Sequence, residues 1–283
     1  MDLCNISVIK ELMADAGITF RKEFGQNFLI NRMIPEDIAD GCTDRADSMI
    51  LEIGPGVGCL TQELALRFPK VVAVEIDRGL IPVLARTLAE YDNVTVINED
   101  VMKVDLKALV EQYSEGRAVS VCANLPYYIT TPILMYLLES GVELEAITVM
   151  VQNEVASRLC AKPGSSDYGA ITAVLGYYGT ARKLFKVGAG CFMPAPKVDS
   201  AVVRIDLYKD KPYKPKNEQL FRDLIRAAFE MRRKTLVNAI SAKLPHLEKS
   251  RVVEAIKHIG HSETVRGERL STEDFSSLAD ELS

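Results

Sequence analysis

The sequence predicts an α/β protein in which a mostly parallel β-sheet carries helices on both faces and is followed by a smaller all-helical region. Between residues 49 and 151, apolar stretches of four to seven residues alternate with amphipathic stretches. This alternation is typical of parallel strands that are joined by helical crossovers. Beyond residue 217 the apolar residues recur only with helical spacing, so the sheet is not expected to continue there.

The order of the predicted elements supports this fold class. Parallel strands are predicted over 49–53, 71–75, 94–97, 117–123 and 146–151. Helices before and between them are predicted over 5–16, 34–41, 59–67, 79–90, 106–113 and 132–139. Further helices are expected over 153–160 and up to residue 178, and strands over 181–187 and 198–207 fit an antiparallel edge of the sheet. The last predicted helices cover 220–230, 234–244, 249–259 and 272–282.

The carboxyl-terminal part is predicted to be a separate, basic domain. A Lys- and Pro-rich stretch over 208–217 is a plausible linker, so we divide the chain into 1–207, with an amino-terminal extension over 1–45, and 208–283. The formal net charge is −5, yet residues 209–269 contain 15 Lys and Arg against 8 Asp and Glu. Such a surplus on an acidic chain is compatible with binding a polyanion through one face, and equally with a solvated surface.

Composition limits the class of protein. Hydrophobic residues make up 48% and charged residues 26% of the 283 residues, which is ordinary for a globular chain. No apolar run approaches the roughly 20 residues that span a bilayer, and the first residues lack the pattern of a signal peptide. The six cysteines are scattered without a C-x-x-C pair, and there are three histidines. We therefore expect a cytoplasmic protein without a metal site.

A glycine-rich loop follows the first predicted strand. The stretch Gly54-Pro55-Gly56-Val57-Gly58 closes that strand and opens a helix, and glycines let a backbone turn tightly and approach a ligand closely. Dinucleotide-binding proteins use G-x-G-x-x-G, but here the third glycine comes one residue early and Cys59 follows it. The form G-x-G-x-G is typical of enzymes that bind S-adenosylmethionine, a cofactor without phosphate.

Polar side chains end the next three strands. Glu75 lies 21 residues after Gly54, the distance at which dinucleotide-binding folds place an acidic residue on the ribose hydroxyls. Asp100 follows the third strand and is expected to accept from the adenine amine of the cofactor, and Asn124 follows the fourth. Because the carboxyl ends of parallel strands share one edge of a sheet, these groups predict a cofactor site. They could otherwise be ordinary turn residues.

The stretch Asn124-Leu125-Pro126-Tyr127 suits a site that holds an aromatic amine. The Asn124 side-chain carbonyl and a backbone carbonyl at Pro126 can each accept a hydrogen from an –NH2 group, which favours a tetrahedral nitrogen with a freer lone pair. Pro126 limits the backbone turn, and Tyr127 offers a ring on which a base can stack. Tyr128 is expected in the core. The alternative is a strand-to-loop turn with a core tyrosine.

Together these motifs resemble the KsgA family of small-subunit rRNA adenine N6-dimethyltransferases along almost the whole chain. The resemblance implies a Rossmann-like class I methyltransferase sheet with a small helical carboxyl-terminal domain. The matching segments are Phe24-Gly25-Gln26-Asn27-Phe28-Leu29, Glu52-Ile53-Gly54-Pro55-Gly56, Asn124-Leu125-Pro126-Tyr127, Asp167-Tyr168-Gly169 and Phe192-Met193-Pro194-Ala195-Pro196-Lys197-Val198-Asp199-Ser200-Ala201-Val202.

The resemblance also implies roles for individual residues. Contacts with S-adenosylmethionine are implied for Asn27, Leu29, Gly54, Gly56, Glu75, Asp100 and Asn124. The loop that carries Phe192 is implied to close on the target base opposite Tyr127, so Phe192 joins Asn124, Pro126 and Tyr127 as a catalytic candidate. The RNA-binding candidates are Arg21, Lys22, Lys197, Arg232, Arg233 and Lys234. Glu23 and Asn153 depart from the family pattern, which puts only the docking surface in doubt.

The activity that the resemblance implies is dimethylation of N6 on two adjacent adenines in the terminal hairpin loop of small-subunit rRNA. The expected product of the cofactor is S-adenosylhomocysteine, and the expected partner is a nearly assembled small subunit, bound by a monomer. Three other functions stay open. They are an Erm-type methyltransferase of large-subunit rRNA that confers macrolide resistance, a DNA adenine methyltransferase, and a ribosome-assembly factor that only binds.

Overall fold

The computed structural model describes residues 1–18 and 27–283, and its elements follow the predicted order. The strands are β1 (Phe28–Leu29), β2 (Met49–Ile53), β3 (Lys70–Glu75), β4 (Val94–Asn98), β5 (Val119–Asn124), β6 (Leu144–Gln152), β7 (Gly179–Val187), β8 (Phe192–Met193) and β9 (Ser200–Leu207). The helices of the sheet region are α1 (Ile6–Asp15), α2 (Met33–Asp40), α3 (Cys59–Arg67), α4 (Ile81–Thr87), α5 (Leu106–Tyr113), α6 (Thr130–Glu139) and α7 (Asn153–Leu159). The remaining helices are α8 (Ala170–Tyr178), α9 (Glu218–Glu230), α10 (Leu236–Lys243), α11 (Lys249–His258) and α12 (Thr272–Leu282).

The main sheet has seven strands in the order β4-β3-β2-β5-β6-β9-β7. Strands β2, β3, β4, β5 and β6 pair in parallel, and β9 pairs antiparallel with β6. Both the parallel sheet and its antiparallel addition were expected from the sequence, and the structure confirms them. The strand order reverses between β2 and β5, and such a reversal opens a crevice at the carboxyl ends of the strands.

Burial explains why the central strands read as continuous apolar runs. Every residue of β2 is buried, and β5 is buried up to its last residue, because helices cover a parallel sheet on both faces. The pairing aligns the carboxyl ends, with Ile53 opposite Val74 on β3 and Ala123 on β5. Polar residues that follow these positions therefore meet at one edge of the sheet.

A second, two-stranded sheet was not predicted. Strand β1 pairs antiparallel with β8, which sets Phe28 opposite Met193 and Leu29 opposite Phe192. Two-residue strands are too short for an alternating pattern, and their partners lie far apart in the sequence. This pairing seats the segment before α2 on the loop that joins β7 to β9.

The chain divides into two compact units. One contains residues 1–156 and 181–207, and the other contains 157–180 and 208–283. The predicted boundary after residue 207 coincides with one division point, but 157–180 groups with the carboxyl-terminal helices. The reason is packing that the sequence pattern does not reveal. Thr272 donates from its hydroxyl to the Ala173 carbonyl at 2.9 Å in the helical unit.

The part of the chain that the structure describes contains no helix long and apolar enough to span a membrane. Within those same residues, no group of three or more His, Cys, Asp and Glu side chains is arranged to hold a metal ion. All six cysteines are free thiols, and three of them are buried. The site chemistry is therefore considered below in terms of carboxylates, amides and aromatic rings.

Candidate active site

A cleft of about 780 Å³, including its open mouth, lies at the carboxyl edge of the parallel strands. Two features place it there, the reversal of strand order between β2 and β5 and the turn that the glycine loop makes after β2. Eight residues singled out from the sequence line this cleft: Asn27, Leu29, Gly54, Gly56, Glu75, Asn124, Pro126 and Tyr127. The structure thus brings together groups from four strand ends and from β1.

The glycine loop adopts backbone angles that other residues rarely reach. Gly54 has φ of +71° and Gly56 has φ of +63°, both in the left-handed region that favours glycine. At Gly56, a Cβ atom would also lie 3.2 Å from the ring of Phe28, which lines the same cleft. The loop therefore needs glycine at these positions for the turn itself and, at Gly56, for close packing against Phe28.

Glu75 is held inside the cleft by backbone donors. Its side chain is 4% exposed, and one carboxylate oxygen accepts from the Gly56 N–H at 3.2 Å while the other accepts from the Asp77 N–H at 2.8 Å. Burial raises the pKa of the Glu75 carboxyl, and these backbone hydrogen bonds oppose that shift. The carboxylate thus fixes the glycine loop against the end of β3 and faces the cleft.

A second acidic residue in the cleft was matched in the sequence only as part of a motif and was given no role there. Glu52, on β2, is 1% exposed and lines the cleft, and its Oε2 atom has no hydrogen-bond partner among the described residues. Burial raises the pKa of Glu52 to about 8, with the nearby Glu75 adding to the shift. A buried acceptor without a partner is costly and indicates a ligand donor. Its position inside an apolar strand was the available signal.

The amide of Asn124 has a defined orientation. Its Nδ2 donates to the Asn27 backbone carbonyl at 3.4 Å, which leaves the side-chain carbonyl oxygen as the group available for a ligand. Asn27 thus contributes a backbone atom to the site. Pairing of β5 with β6 places Asn124 opposite Met150, at the last position of the strand. The polar group therefore stands on rigid backbone at the cleft.

The second acceptor differs from the one expected. The Pro126 carbonyl already accepts from the Ile129 N–H at 3.2 Å and from the Thr130 hydroxyl at 3.1 Å, which stabilise the turn into α6. The carbonyl of Leu125 accepts no hydrogen bond from the residues that the structure describes. Leu125, one residue earlier, is therefore the better acceptor, and the assignment of that role to Pro126 is corrected.

The two tyrosines that follow have different environments. Tyr127 is half-buried, and its phenol oxygen lies 2.7 Å from the Ser200 hydroxyl. Burial raises the pKa of the Tyr127 phenol, and the Ser200 hydrogen bond lowers it. Tyr128 is 63% exposed, so the expectation that it belongs to the core was wrong. A polar side chain on the other side of the strand end would have been needed to predict this difference.

Two predicted site residues do not line the cleft. Asp100 accepts from the Met102 N–H at 3.0 Å and begins a short 3-10 turn, so one of its oxygens has a local structural task. Phe192 is 3% exposed and packs in the core with Leu29 and Val202. Its pairing in β8 turns the ring inward, which is the simple packing arrangement rather than contact with a base.

The predicted RNA-binding residues also differ in environment. Arg232 donates to the backbone carbonyls of Ser166 at 3.2 Å and Tyr168 at 3.1 Å, and it lies 3.5 Å from Glu268, all within the helical unit. Arg233, Lys234 and Lys197 are exposed. Arg21, Lys22 and Glu23 lie outside the described residues, as does the Phe24-Gly25-Gln26 part of the first motif. Asn153 accepts from Lys183 at 3.0 Å.

The seven-stranded sheet, the glycine turn after β2 and the acidic residue ending β3 define a class I methyltransferase, the S-adenosylmethionine-dependent class. The particular family follows from comparison with known proteins. The profile of the ribosomal RNA adenine dimethylase family matches residues 17–283. The chain belongs to this family.

Named relatives agree with that membership. The chain is 49% identical over 263 residues to a ribosomal RNA small subunit methyltransferase A from Lachnoclostridium phytofermentans, covering 92% of this chain and 91% of the relative. Among solved structures, a dimethyladenosine transferase from Plasmodium falciparum superposes with a TM-score of 0.76 at 26% identity, covering 88% and 95% of the two chains. The 23S rRNA methyltransferase ErmE superposes with a TM-score of 0.69 at 27% identity, covering 90% and 99%.

Proposed function

We propose that this enzyme transfers methyl groups from S-adenosylmethionine to N6 of two adjacent adenines in the 3′-terminal hairpin loop of small-subunit rRNA, giving N6,N6-dimethyladenosine. The observation that carries the proposal is the pair of acceptors at the end of β5, the side-chain carbonyl of Asn124 and the backbone carbonyl of Leu125. Family membership and the small-subunit relatives support the choice of substrate.

The residues of the cleft fit S-adenosylmethionine. Glu52 has a buried oxygen without a partner among the described residues, and it suits the ammonium group of the cofactor. Glu75 suits the ribose hydroxyls. Gly54 and Gly56 allow close approach of the backbone, and Leu29 supplies apolar contact. Asp100 keeps its role toward the cofactor's adenine amine through the oxygen that does not accept from Met102.

When bound, the cofactor supplies a methyl group on a positively charged sulfur, which is a good leaving group. The protein has only to present the amine correctly. The carbonyl oxygens of Asn124 and Leu125 accept the two amine hydrogens, which draws the nitrogen away from conjugation with the ring and frees its lone pair. Asn27 holds the Asn124 amide so that its oxygen, not its nitrogen, faces the substrate.

The second transfer places one further demand on the site. After the first methylation N6 retains a single hydrogen, so one of the two acceptors has to share the space with a methyl group. We assign no general base, because no histidine lies in the cleft-lining motifs and the proton can leave to water after transfer. The order of the two adenines follows from the shape of this pocket.

The target adenine has to leave its stack to reach N6 into the cleft. Tyr127 is the ring in the cleft wall on which a displaced base can stack. We assign phosphate contacts to the exposed Arg233, Lys234 and Lys197 and to Arg21 and Lys22, whereas Arg232 contributes mainly to the fold of the helical unit. A monomer in the cytoplasm that acts on an assembling small subunit fits this assignment.

The nearest alternative is methylation of large-subunit rRNA, the substrate in the name of ErmE. The higher identity to small-subunit relatives over most of the chain favours the small subunit. A factor that binds without catalysis would not need Asn124 oriented in the cleft. Incubating the enzyme with radiolabelled S-adenosylmethionine and either unmethylated small subunits or large subunits distinguishes these functions. Dimethyladenosine in the small-subunit rRNA is the expected result.

A further inference from the structure

We propose that Ser200 is a positioning residue for methyl transfer, because its hydroxyl holds the Tyr127 ring in the orientation on which the target base stacks. The inference rests on the proposed function, since it takes Tyr127 as the stacking surface. It gives a role to a serine that the sequence analysis used only to recognise a motif.

The contact between the two side chains is short and protected from solvent. The Tyr127 phenol oxygen and the Ser200 Oγ lie 2.7 Å apart, and Ser200 is 0% exposed while Tyr127 is half-buried. A hydroxyl–hydroxyl bond at this distance is of ordinary full strength. Removing either hydroxyl would leave the other polar group buried without a partner.

Two points fix the Tyr127 ring. At the backbone, Pro126 restricts the chain, and the Leu125 N–H donates to the Met150 carbonyl at 3.3 Å. At the far end of the ring, Ser200 holds the phenol oxygen. A tyrosine side chain turns about two torsions, so a hydrogen bond at its tip restricts both of them. Without that bond, a half-exposed ring is free to leave the stacking orientation.

Ser200 is itself on rigid backbone. It begins β9 and pairs with Gln152 at the end of β6. The preceding residue, Asp199, accepts from the Ala189 N–H through its carboxylate at 3.0 Å and from the Asn153 N–H through its carbonyl at 2.9 Å. The chain is therefore fixed from two sides immediately before Ser200. This rigidity is what a positioning group requires.

A matched control exists on the neighbouring strand. Ser120 lies on β5, the strand that carries Asn124, and is also 0% exposed. Its hydroxyl has no hydrogen-bond partner among the described residues. Ser120→Ala therefore removes a buried serine hydroxyl from the same sheet without removing a contact to Tyr127.

The test compares Ser200→Ala, Tyr127→Phe, the double variant and Ser120→Ala in single-turnover methyl transfer to unmethylated small subunits at saturating S-adenosylmethionine. Misplacing the base by about 1 Å reduces transfer by 10- to 100-fold, and we expect a loss in this range for each of the first two variants. Because both remove the same hydrogen bond, the double variant is expected to transfer no more slowly than the slower single variant. Ser120→Ala is expected to match the wild type, and cofactor affinity to stay unchanged throughout.

Independent, multiplying losses in the double variant, or wild-type transfer by Ser200→Ala, would overturn the inference. If Ser200→Ala does not fold, Tyr127→Phe tests the same bond from the other side. Failure of the wild type to methylate small subunits would instead contradict the proposed function. In that case crystal structures of the wild type and Ser200→Ala still test the positioning. A Tyr127 ring that keeps one unchanged orientation without the Ser200 hydroxyl contradicts it.

Discussion

The sheet unit and the helical unit carry their charge in different ways. The sheet unit has 17 Lys and Arg against 26 Asp and Glu, whereas the helical unit has 17 against 13. In the sheet unit the important acidic groups are buried at strand ends, with Glu52 1% and Glu75 4% exposed. In the helical unit, Arg233 and Lys234 are exposed in the turn between α9 and α10.

This difference teaches what kind of effect each region has. A group buried in the cleft acts at one place on one atom, so its loss changes chemistry or cofactor binding by orders of magnitude. An exposed cation acts on a polyanion through a long-range, salt-dependent field, so its loss changes affinity by a modest factor. The predictions below test whether the two regions respond in these two ways.

The largest expected effect is that of Asn124→Ala on catalysis. Removing the side-chain acceptor is expected to slow methyl transfer by about 10²- to 10³-fold, the loss typical of removing one preorganised polar group from an active site. Asn124 is half-buried at a strand end, so the fold and cofactor binding are expected to survive. Single-turnover transfer and equilibrium cofactor binding measure the two effects. The control is Asn93→Ala, which removes a structural amide bound to the Ala65 and Phe68 carbonyls. Near-wild-type transfer by folded Asn124→Ala would contradict the mechanism.

Glu52→Gln is expected to change the pH dependence of stability. Burial raises the pKa of Glu52 from its ordinary 4.5 to about 8. Between these values the folded protein keeps a proton that the unfolded chain has lost, so the free energy of unfolding falls as the pH rises. A glutamine does not titrate, and we expect the variant to be about 2 kcal/mol more stable than the wild type at pH 8.

Denaturant unfolding at pH 5 and pH 8 measures this difference without the cofactor. Parallel losses of stability in the wild type and in Glu52→Gln would show that Glu52 is not the titrating group. The same variant is expected to bind S-adenosylmethionine more weakly, because a neutral amide replaces a carboxylate that suits the ammonium group. Greater stability together with weaker binding would identify Glu52 as a site residue and not a core residue.

Arg233→Ala/Lys234→Ala is expected to weaken rRNA binding by about tenfold at physiological salt and to reduce the salt dependence of binding by about one unit of slope per phosphate contact. The control is Lys10→Ala/Lys107→Ala, which removes the same charge from exposed positions of the sheet unit. Filter binding to small subunits over a range of salt concentrations provides the measurement. Equal losses for both pairs would mean that net charge, and not the position of the cations, governs binding.

The smallest effect is expected for Arg232→Ala, and on stability. Arg232 donates to the Ser166 and Tyr168 carbonyls, and removing a partly exposed charged donor is expected to cost about 1 kcal/mol. Thermal unfolding beside Arg233→Ala gives the comparison, because Arg233 is exposed and adjacent. A larger loss of stability in Arg233→Ala than in Arg232→Ala would reverse the assignment.

Much of the sheet and part of the cleft could be predicted because they depend on local sequence. The strand 49–53 and the helix 59–67 match β2 and α3, since burial on both faces and helical spacing are visible within one segment. Gly54, Glu75 and Asn124 could be placed for the same reason, because each follows directly from where a strand ends.

The remaining features depend on contacts between distant segments. Phe192 faces the core because β8 pairs with β1, about 160 residues earlier in the chain. The backbone acceptor moves from Pro126 to Leu125 because Ile129 and Thr130 already donate to Pro126. Neither a two-residue strand nor an occupied carbonyl leaves a pattern in the sequence.

The central claim is that the acceptors at the end of β5 serve N6 dimethylation of small-subunit rRNA. The most direct test is to incubate wild-type enzyme with radiolabelled S-adenosylmethionine and unmethylated small or large subunits, then digest the rRNA to nucleosides. We predict labelled N6,N6-dimethyladenosine from the small subunit and none from the large subunit. Label in the large-subunit rRNA, or no label in either while the cofactor still binds, would contradict the account.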